Sequence, residues 1–208
     1  ALPDALRDAD GAMLEPLGVA LHAVDLAHMR TGASVGVFGC GPIGLLALQA
    51  ARLAGAGRLF ATDRPDRPHR LDAARRLGAE VFATEAGREA RAIRDALGGG
   101  LDVAIELAGE NGAVDAALDA VRPGARVVLA GIPAEERTSF RAATARRKGL
   151  TLVLSRRMKH TYPRAIGLVA EGNVDVRSVV THQFPLERGA EAFATAARRE
   201  GLKVLVVP

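Results

Sequence analysis

The sequence of 208 residues predicts an α/β fold, a doubly wound parallel sheet, on two observations. Short runs rich in Val, Leu and Ile alternate with segments of helical periodicity, which is typical of strands that are buried on both faces and joined by crossover helices. A glycine-rich stretch connects the first of these strands to the first of these helices. We therefore expect a sheet of six parallel strands with right-handed crossovers.

The predicted strands occupy residues 34–39, 58–62, 80–83, 101–107, 125–131 and 150–155. Helical periodicity between them is clearest over residues 43–53, 71–77 and 114–121. A Pro-Gly turn at 123–124 is expected to stop the helix that precedes the fifth strand. After residue 155 the rhythm changes to a helix over 162–171, a strand over 178–184, a helix over 186–199 and a closing strand over 202–207.

This pattern predicts three segments. Residues 31–155 are expected to form the doubly wound sheet domain, whereas residues 1–30 and 156–208 are expected to be pieces of a second domain whose main body is absent. The opening stretch, which has no initiator Met, reads like the middle of a longer protein.

Composition excludes several classes of protein. The net charge is +4, but the basic residues are scattered among 24 acidic ones, so no nucleic-acid-binding stripe forms. No apolar run approaches the roughly 20 residues that span a bilayer, which argues against a membrane protein. A single cysteine, Cys40, rules out an internal disulfide and indicates the reducing cytoplasm.

The glycine stretch has the spacing of a dinucleotide-binding loop. Gly39 permits a tight turn, Gly41 lets the backbone approach a pyrophosphate, and Gly44 lets the helix pack closely on the sheet. Pro42 suits the first turn of a helix, whose free N–H groups attract phosphate. A purely structural turn and an S-adenosylmethionine site are weaker alternatives.

The acidic residue after the second strand bears on the choice of cofactor. Asp63 ends that strand and is placed to accept hydrogen bonds from the adenosine ribose hydroxyls, which favours NAD. Arg64 beside it could instead pair with the 2′-phosphate of NADP. NAD is therefore the prediction, with NADP as the alternative.

Longer motifs carry a resemblance to a known family. The chain resembles the medium-chain zinc-dependent alcohol dehydrogenases, most closely their sorbitol and xylitol (polyol) branch, through the stretches EPLGVALHA, GVFGCGPIGLLALQAARLAGA, RLDAARRLGAEV, AIELAGE, RPGARVVLAGI and VVTHQFPLERGAEAF. The resemblance implies a Rossmann cofactor domain with remnants of a GroES-like catalytic domain at both ends.

The resemblance also implies contacts with the cofactor. By their place in the family's motifs, these would come from Ile43, Asp63, Arg70, Leu107, Ala108, Ala130, Gly131, Ile132, Arg156, Arg157 and Lys203. Arg67 is a rival to Arg70, because the segment before residue 71 is longer than the family's usual pattern. Arg157 would also approach the substrate hydroxyls. Because Arg156 and Met158 depart from the usual polyol residues, the substrate stays open.

The family's catalytic zinc would involve Glu15. The resemblance implies that Glu15 joins a cysteine and a His-Glu pair, but this chain has no His-Glu dipeptide and no cysteine besides Cys40. A catalytic zinc needs about three protein ligands, so we do not expect this chain alone to hold zinc or to be active. The other interpretation of Glu15 is an acid that interacts with the positive end of a helix.

Three functions follow. The first is the NAD-binding part of a zinc-dependent enzyme that transfers hydride between a secondary alcohol or polyol and the nicotinamide. The others are a zinc-independent relative of the quinone reductase type and a non-catalytic NAD(P)-binding module.

The resemblance further implies a homo-oligomer through the edge of the sheet near residues 150–154. Glu106 could meet the nicotinamide, although a structural hydrogen-bonding role is favoured.

Overall fold

A computed structural model describes residues 2–85 and 87–208. Its eight strands are β1 (Ser34–Phe38), β2 (Arg58–Asp63), β3 (Glu80–Ala83), β4 (Leu101–Glu106), β5 (Val121–Leu129), β6 (Thr151–Leu154), β7 (Val180–Pro185) and β8 (Lys203–Val207). The first six form one parallel sheet in the order β3-β2-β1-β4-β5-β6, and β7 and β8 form a separate parallel pair. The predicted doubly wound sheet is thereby confirmed.

Helices connect and flank these strands. They are α1 (Asp8–Gly11), α2 (Leu14–Ala27), α3 (Pro42–Leu53), α4 (Pro68–Arg76), α5 (Arg88–Leu97), α6 (Asn111–Ala120), α7 (Ala142–Lys148), α8 (Tyr162–Ala170) and α9 (Gly189–Arg198), with short 3-10 helices at Arg177–Val179 and Leu186–Arg188. Prolines occupy the first turns of α3, α4 and α8, where no helix hydrogen bond is lost. None of the helices within the described ranges is long and apolar enough to cross a membrane.

Two apolar cores lie on the two faces of the sheet. One packs α2, α3 and α8 against β1 and β2, and also takes in residues of β8. The other packs α5 and α6 around the buried rings of Phe38 and Phe60. The helices therefore cover both faces of the sheet, which explains why its strands are mostly apolar.

The outer segments of the chain join the first of these cores. Helix α2 packs against α3 and α8, and Gln49 of α3 exchanges hydrogen bonds with the backbone of Asp175 at 2.8 and 3.0 Å. The segments 1–30 and 156–208 thus contact the sheet domain directly, while the division into domains stays a prediction.

The fifth strand differs from its prediction. It begins at Val121 rather than residue 125, because Val121 already pairs with Leu101 of β4. The register then shifts, and the next pair is Arg126 with Val103. Between these pairs Gly124 adopts φ +73°, so the Pro-Gly turn interrupts the strand instead of preceding it. The predicted helix over 186–199 likewise divides into a 3-10 turn and α9.

Candidate functional site

A crevice of about 720 Å³ opens beside the carboxyl ends of β1, β2 and β4. The order of the strands reverses between β1 and β4, and open α/β sheets bind ligands at such a reversal. Predicted cofactor residues in its lining are Gly39, Gly41, Asp63, Arg64, Arg70, Leu107 and Ala108. The structure therefore brings together residues that are up to 69 positions apart at the place where a nucleotide is expected.

The three glycines of the loop have different surroundings. Gly39 has φ +111°, and a Cβ there would lie 2.8 Å from the backbone N of Ala108. A Cβ on Gly44 would lie 1.9 Å from the carbonyl oxygen of Gly39. The nearest atom to a Cβ on Gly41 is Nη1 of Arg70, 3.9 Å away. Gly39 and Gly44 thus permit close packing, whereas Gly41 leaves room for a ligand.

Helix α3 begins at this loop. Gly41 is its N-cap, and the carbonyl of Gly41 accepts a hydrogen bond from Leu45 N at 3.0 Å. Pro42 occupies the first turn and Ile43 is half-buried against the core, so neither lines the crevice. The positive end of the helix therefore points at the space above Gly41, which suits a phosphate.

Asp63 connects the loop to β2. The residue is 7% exposed, its Oδ2 accepts a hydrogen bond from Cys40 N at 2.8 Å, and its Oδ1 accepts one from Arg64 N at 2.7 Å. Each carboxylate oxygen can accept a second hydrogen bond. The geometry therefore leaves both oxygens able to bind ribose hydroxyls.

Cys40 lies behind the crevice. Burial, together with the neighbouring Asp63 charge, raises the pKa of its thiol to about 12. The thiol remains protonated at neutral pH, so Cys40 contributes packing and neither a nucleophile nor a metal ligand.

Two arginines beside Asp63 differ in their partners. Arg64 is exposed and its guanidinium donates two hydrogen bonds of 3.1 Å to Asp66. Arg70, 14% exposed at its side chain, places Nη1 3.8 Å from Oδ2 of Asp63. Burial lowers the pKa of Arg70, and its Nε has no hydrogen-bond partner among the described residues. Arg70 therefore faces the crevice, and Arg67 lines it as well.

Glu106 organises the loops on the other side of the crevice. Its Oε1 accepts hydrogen bonds from Ala108 N at 2.7 Å and Gly109 N at 2.6 Å, and its backbone carbonyl accepts from Ala130 N and Gly131 N at 2.9 Å. Burial raises the pKa of the carboxyl. These contacts agree with the structural role that the sequence favours for Glu106.

The residues predicted around the nicotinamide follow β5 and β6 and lie outside the lining of the crevice. A Cβ on Gly131 would lie 2.3 Å from Gly109 N, so the loops after β4 and β5 touch, while Ile132 is 91% exposed. Arg156 and Arg157 are exposed, and Arg157 adopts φ +51°. Their contacts with a cofactor stay predictions.

Two other predicted residues also lie outside the crevice. Glu15 is exposed in the first turn of α2, where a carboxylate interacts favourably with the helix dipole. Lys203 is half-buried at the start of β8, and its carbonyl accepts a hydrogen bond from the Thr181 hydroxyl at 3.3 Å. This geometry tests neither the zinc-ligand role of Glu15 nor the cofactor contact of Lys203 that the resemblance implies.

A metal site is not formed by the described part of the chain. Within residues 2–85 and 87–208, no three side chains of His, Cys, Asp or Glu lie close enough together to hold a metal ion. The carboxylate of Glu15, which the resemblance implies as a zinc ligand, would supply only one of the roughly three ligands that a catalytic site needs.

Sequence reasoning missed several charged residues that line the crevice, namely Arg88, Glu89, Arg91, Glu110, Asp115, Asp119, Arg141 and Arg199. Arg199, which directly follows α9, lines it together with residues of β2 and α4. The local sequence does not distinguish Arg199 from Arg198. Which of the two side chains lines the crevice depends on how the tail packs against the sheet.

Comparisons with known proteins agree with this architecture. Residues 42–171 match the family model described as zinc-binding dehydrogenase. The chain is 33% identical to sorbitol dehydrogenase from Bacillus subtilis (strain 168) over 100% of this chain and 59% of that protein. It is 36% identical to sorbitol dehydrogenase from Bos taurus over 99% of this chain and 58% of that protein.

Solved structures show the same fold. Alcohol dehydrogenase TADH from Thermus sp. ATN1 superposes with a TM-score of 0.90 at 32% identity, covering 100% of this chain and 61% of that one. The 2R,3R-butanediol dehydrogenase from Bacillus subtilis superposes with a TM-score of 0.88 at 30% identity, covering 100% and 60%. The chain thus spans about three fifths of the length of these proteins.

Proposed function

Because the chain belongs to the zinc-binding dehydrogenase family, we propose that it is the nucleotide-binding part of an oxidoreductase that transfers hydride between a secondary alcohol or polyol and NAD. The crevice beside Gly41 and Asp63 is the observation that carries this proposal. The relatives named sorbitol, butanediol and alcohol dehydrogenase support the substrate class.

The residues of the crevice fit a dinucleotide. The pyrophosphate lies over Gly41 at the N-terminus of α3, where the backbone is open and the helix dipole is positive. The adenosine ribose lies at Asp63, whose oxygens each retain an acceptor site. Since the guanidinium of Arg64 is held by Asp66, Arg64 is drawn away from a 2′-phosphate. These contacts favour NAD over NADP.

The chemistry follows from where the cofactor is held. When bound, NAD would supply a hydride acceptor for the carbinol carbon of the substrate, and the hydroxyl proton would pass to water. Glu106 fixes the loops after β4 and β5, so Leu107, Ala108 and the residues 130–132 can form a rigid seat for the ring. Arg157 lies after β6 and would donate hydrogen bonds to substrate hydroxyls.

Zinc, which the family's description implies, does not fit the described residues of this chain. Glu15 is a single exposed carboxylate, so the remaining ligands would have to come from a part of the protein outside these 208 residues. No step of the proposed chemistry is therefore assigned to a metal held by this chain.

Titration calorimetry of the chain with NAD and NADP tests the cofactor assignment. We expect NAD to bind, and we expect Asp63→Ala to weaken NAD by about tenfold or more, because hydrogen bonds to a charged group are worth about 1.5–3 kcal/mol each. NADP should lose much less affinity. Equal losses for the two cofactors would show that Asp63 acts through the loop and not through the ribose.

A turnover assay tests the assignment of catalytic ligands. With NAD and a polyol, the isolated chain should show negligible oxidation even when zinc is added, since Glu15 alone cannot assemble a catalytic metal site. Measurable, zinc-dependent turnover would mean that the ligands lie within these residues and have been misplaced.

A further inference from the structure

Arg199 has a backbone conformation that is unusual for arginine. It follows the last residue of α9 with φ 56° and ψ 37°, in the left-handed region. Helices α5 and α7 end in the same conformation on Gly98 and Gly149, where no Cβ opposes it. A side chain that is kept at such a position despite the strain suggests a function for that side chain.

The side chain of Arg199 reaches the nucleotide crevice from the tail of the protein. It lines the crevice together with Arg67 and Arg70. Burial lowers the pKa of Arg70, the Asp63 carboxylate opposes this effect, and the positive charges of Arg67 and Arg199 lower the pKa further. These three arginines form what we call the arginine cradle.

The arginine cradle carries uncompensated charge. In the described parts of the chain, no carboxylate lies within 4.0 Å of the guanidinium of Arg67 or Arg199, and the Asp63 carboxylate approaches Arg70 at 3.8 Å. Neighbouring arginines are neutralised, since Arg198 pairs with Glu200. The crevice is also lined by other carboxylates, none of which lies within 4.0 Å of these two guanidiniums: Glu89, Glu110, Asp115 and Asp119. Arg67 and Arg199 therefore add two positive charges without a close partner beside the Arg70–Asp63 pair, an arrangement that attracts an anion.

We propose that Arg199 is a phosphate ligand of the bound dinucleotide, acting with Arg67 and Arg70 as a clamp supplied by the C-terminal segment. Arg70 Nη1 stands 3.9 Å from the Cβ position at Gly41 and 3.8 Å from Asp63, so Arg70 lies between the expected places of the pyrophosphate and the ribose, and Arg67 and Arg199 line the same crevice. At either place, the planar guanidinium of arginine can donate hydrogen bonds to phosphate oxygens. This inference rests on the proposed nucleotide site.

The variant Arg199→Gly tests the proposal without harming the fold, because glycine adopts the left-handed conformation freely. Calorimetric titrations of the chain with NAD and with NADP should show an affinity loss of about tenfold, typical of a lost charge-assisted hydrogen bond. The matched control is Arg198→Gly, which removes an adjacent arginine that does not line the crevice, and its affinity should equal that of the unchanged chain.

The two cofactors distinguish the two sources of phosphate. If Arg199→Gly loses affinity equally for NAD and NADP, Arg199 binds the pyrophosphate. If it loses affinity only for NADP, Arg199 binds the 2′-phosphate. Either result supports the proposal. The affinity of Arg199→Gly should also fall less steeply with added salt, since one phosphate contact is gone.

Two results would overturn the inference. One is unchanged affinity of Arg199→Gly for both cofactors, and the other is a weakened affinity with an unchanged dependence on salt, which would mean that Arg199 acts through the shape of the crevice. If the unchanged chain binds neither cofactor, the proposed function itself fails, and that outcome is separate from both.

Discussion

Gly41 and Gly44 are three positions apart, yet the structure assigns them separate tasks. A Cβ on Gly44 would lie 1.9 Å from the backbone oxygen of Gly39, a contact that no rotation of a side chain can relieve. A Cβ on Gly41 would meet only the flexible end of Arg70, at 3.9 Å. The fold therefore requires Gly44, whereas the space at Gly41 is free for the ligand that we propose.

Paired substitutions separate these tasks. Gly44→Ala should lower the free energy of unfolding by about 1–3 kcal/mol, because α3 must move away from the loop. Gly41→Ala should leave the thermal melting temperature nearly unchanged but weaken NAD binding, since its methyl group occupies the space over which the pyrophosphate lies. Thermal melts and calorimetric titrations of both variants check this. A Gly44→Ala variant as stable as the unchanged chain would contradict the close approach of Gly44 to Gly39.

At the scale of elements, an ion pair between the buried Asp10 and the exposed Arg177 holds the start of the chain to its tail. Asp10 of α1 accepts hydrogen bonds from Nε of Arg177 at 2.8 Å and from Nη2 at 2.7 Å, and from the backbone N of Arg7 at 3.0 Å. The hydrogen bond from Arg177 holds the pKa of Asp10 well below its usual range. The pair therefore stabilises the fold only while Asp10 is ionised.

The dependence on pH follows from this shift. The pKa of Asp10 is lower in the folded chain than in the unfolded chain. The stabilisation is therefore complete above the pKa of the unfolded chain, about 3.9, and is lost as the pH falls through the pKa of the folded chain. Asp10→Asn should lower the free energy of unfolding by about 2 kcal/mol at neutral pH.

Denaturant titrations at neutral pH and below a pH of about 3.9 check this prediction. The difference between Asp10→Asn and the unchanged chain should shrink in acid. Asp8→Asn, an exposed acid on the same helix, serves as the control and should change little at either pH. A constant difference across this range would show that Asp10 acts by packing.

At the scale of the whole molecule, the large sheet has an exposed edge at β6. This strand is the last of the six, and Leu154 on it is 79% exposed. An apolar edge strand is a template for pairing with a second chain. We therefore keep the prediction of a homo-oligomer in which β6 strands meet edge to edge.

Sedimentation velocity at several protein concentrations tests this interface. The unchanged chain should sediment as a dimer, and Leu154→Glu should sediment as a monomer, because like charges would face each other across the two-fold axis. Leu53→Glu, at the end of α3 and also exposed, is the matched control and should remain dimeric. A monomeric unchanged chain would contradict the prediction.

Local patterns in the sequence sufficed for the sheet and for the nucleotide loop. Five of the six strands of the large sheet lie within a few residues of their predicted bounds, because runs of Val, Leu and Ile and the turns between them are local features. Gly39, Gly41 and Asp63 face one crevice as their spacing predicts, since the carboxyl ends of neighbouring parallel strands meet at one edge. The early start of β5 escaped prediction because it depends on pairing with Leu101.

Only the tertiary structure shows the contacts between distant parts of the chain. Arg177 is 167 positions from Asp10, and Arg199 enters a crevice at the ends of β1, β2 and β4. Adjacent arginines such as Arg198 and Arg199 are equivalent in composition and local pattern. Their different partners arise from the packing of the tail onto the sheet, because the direction of a surface side chain depends on how whole elements meet and not on its neighbours in sequence.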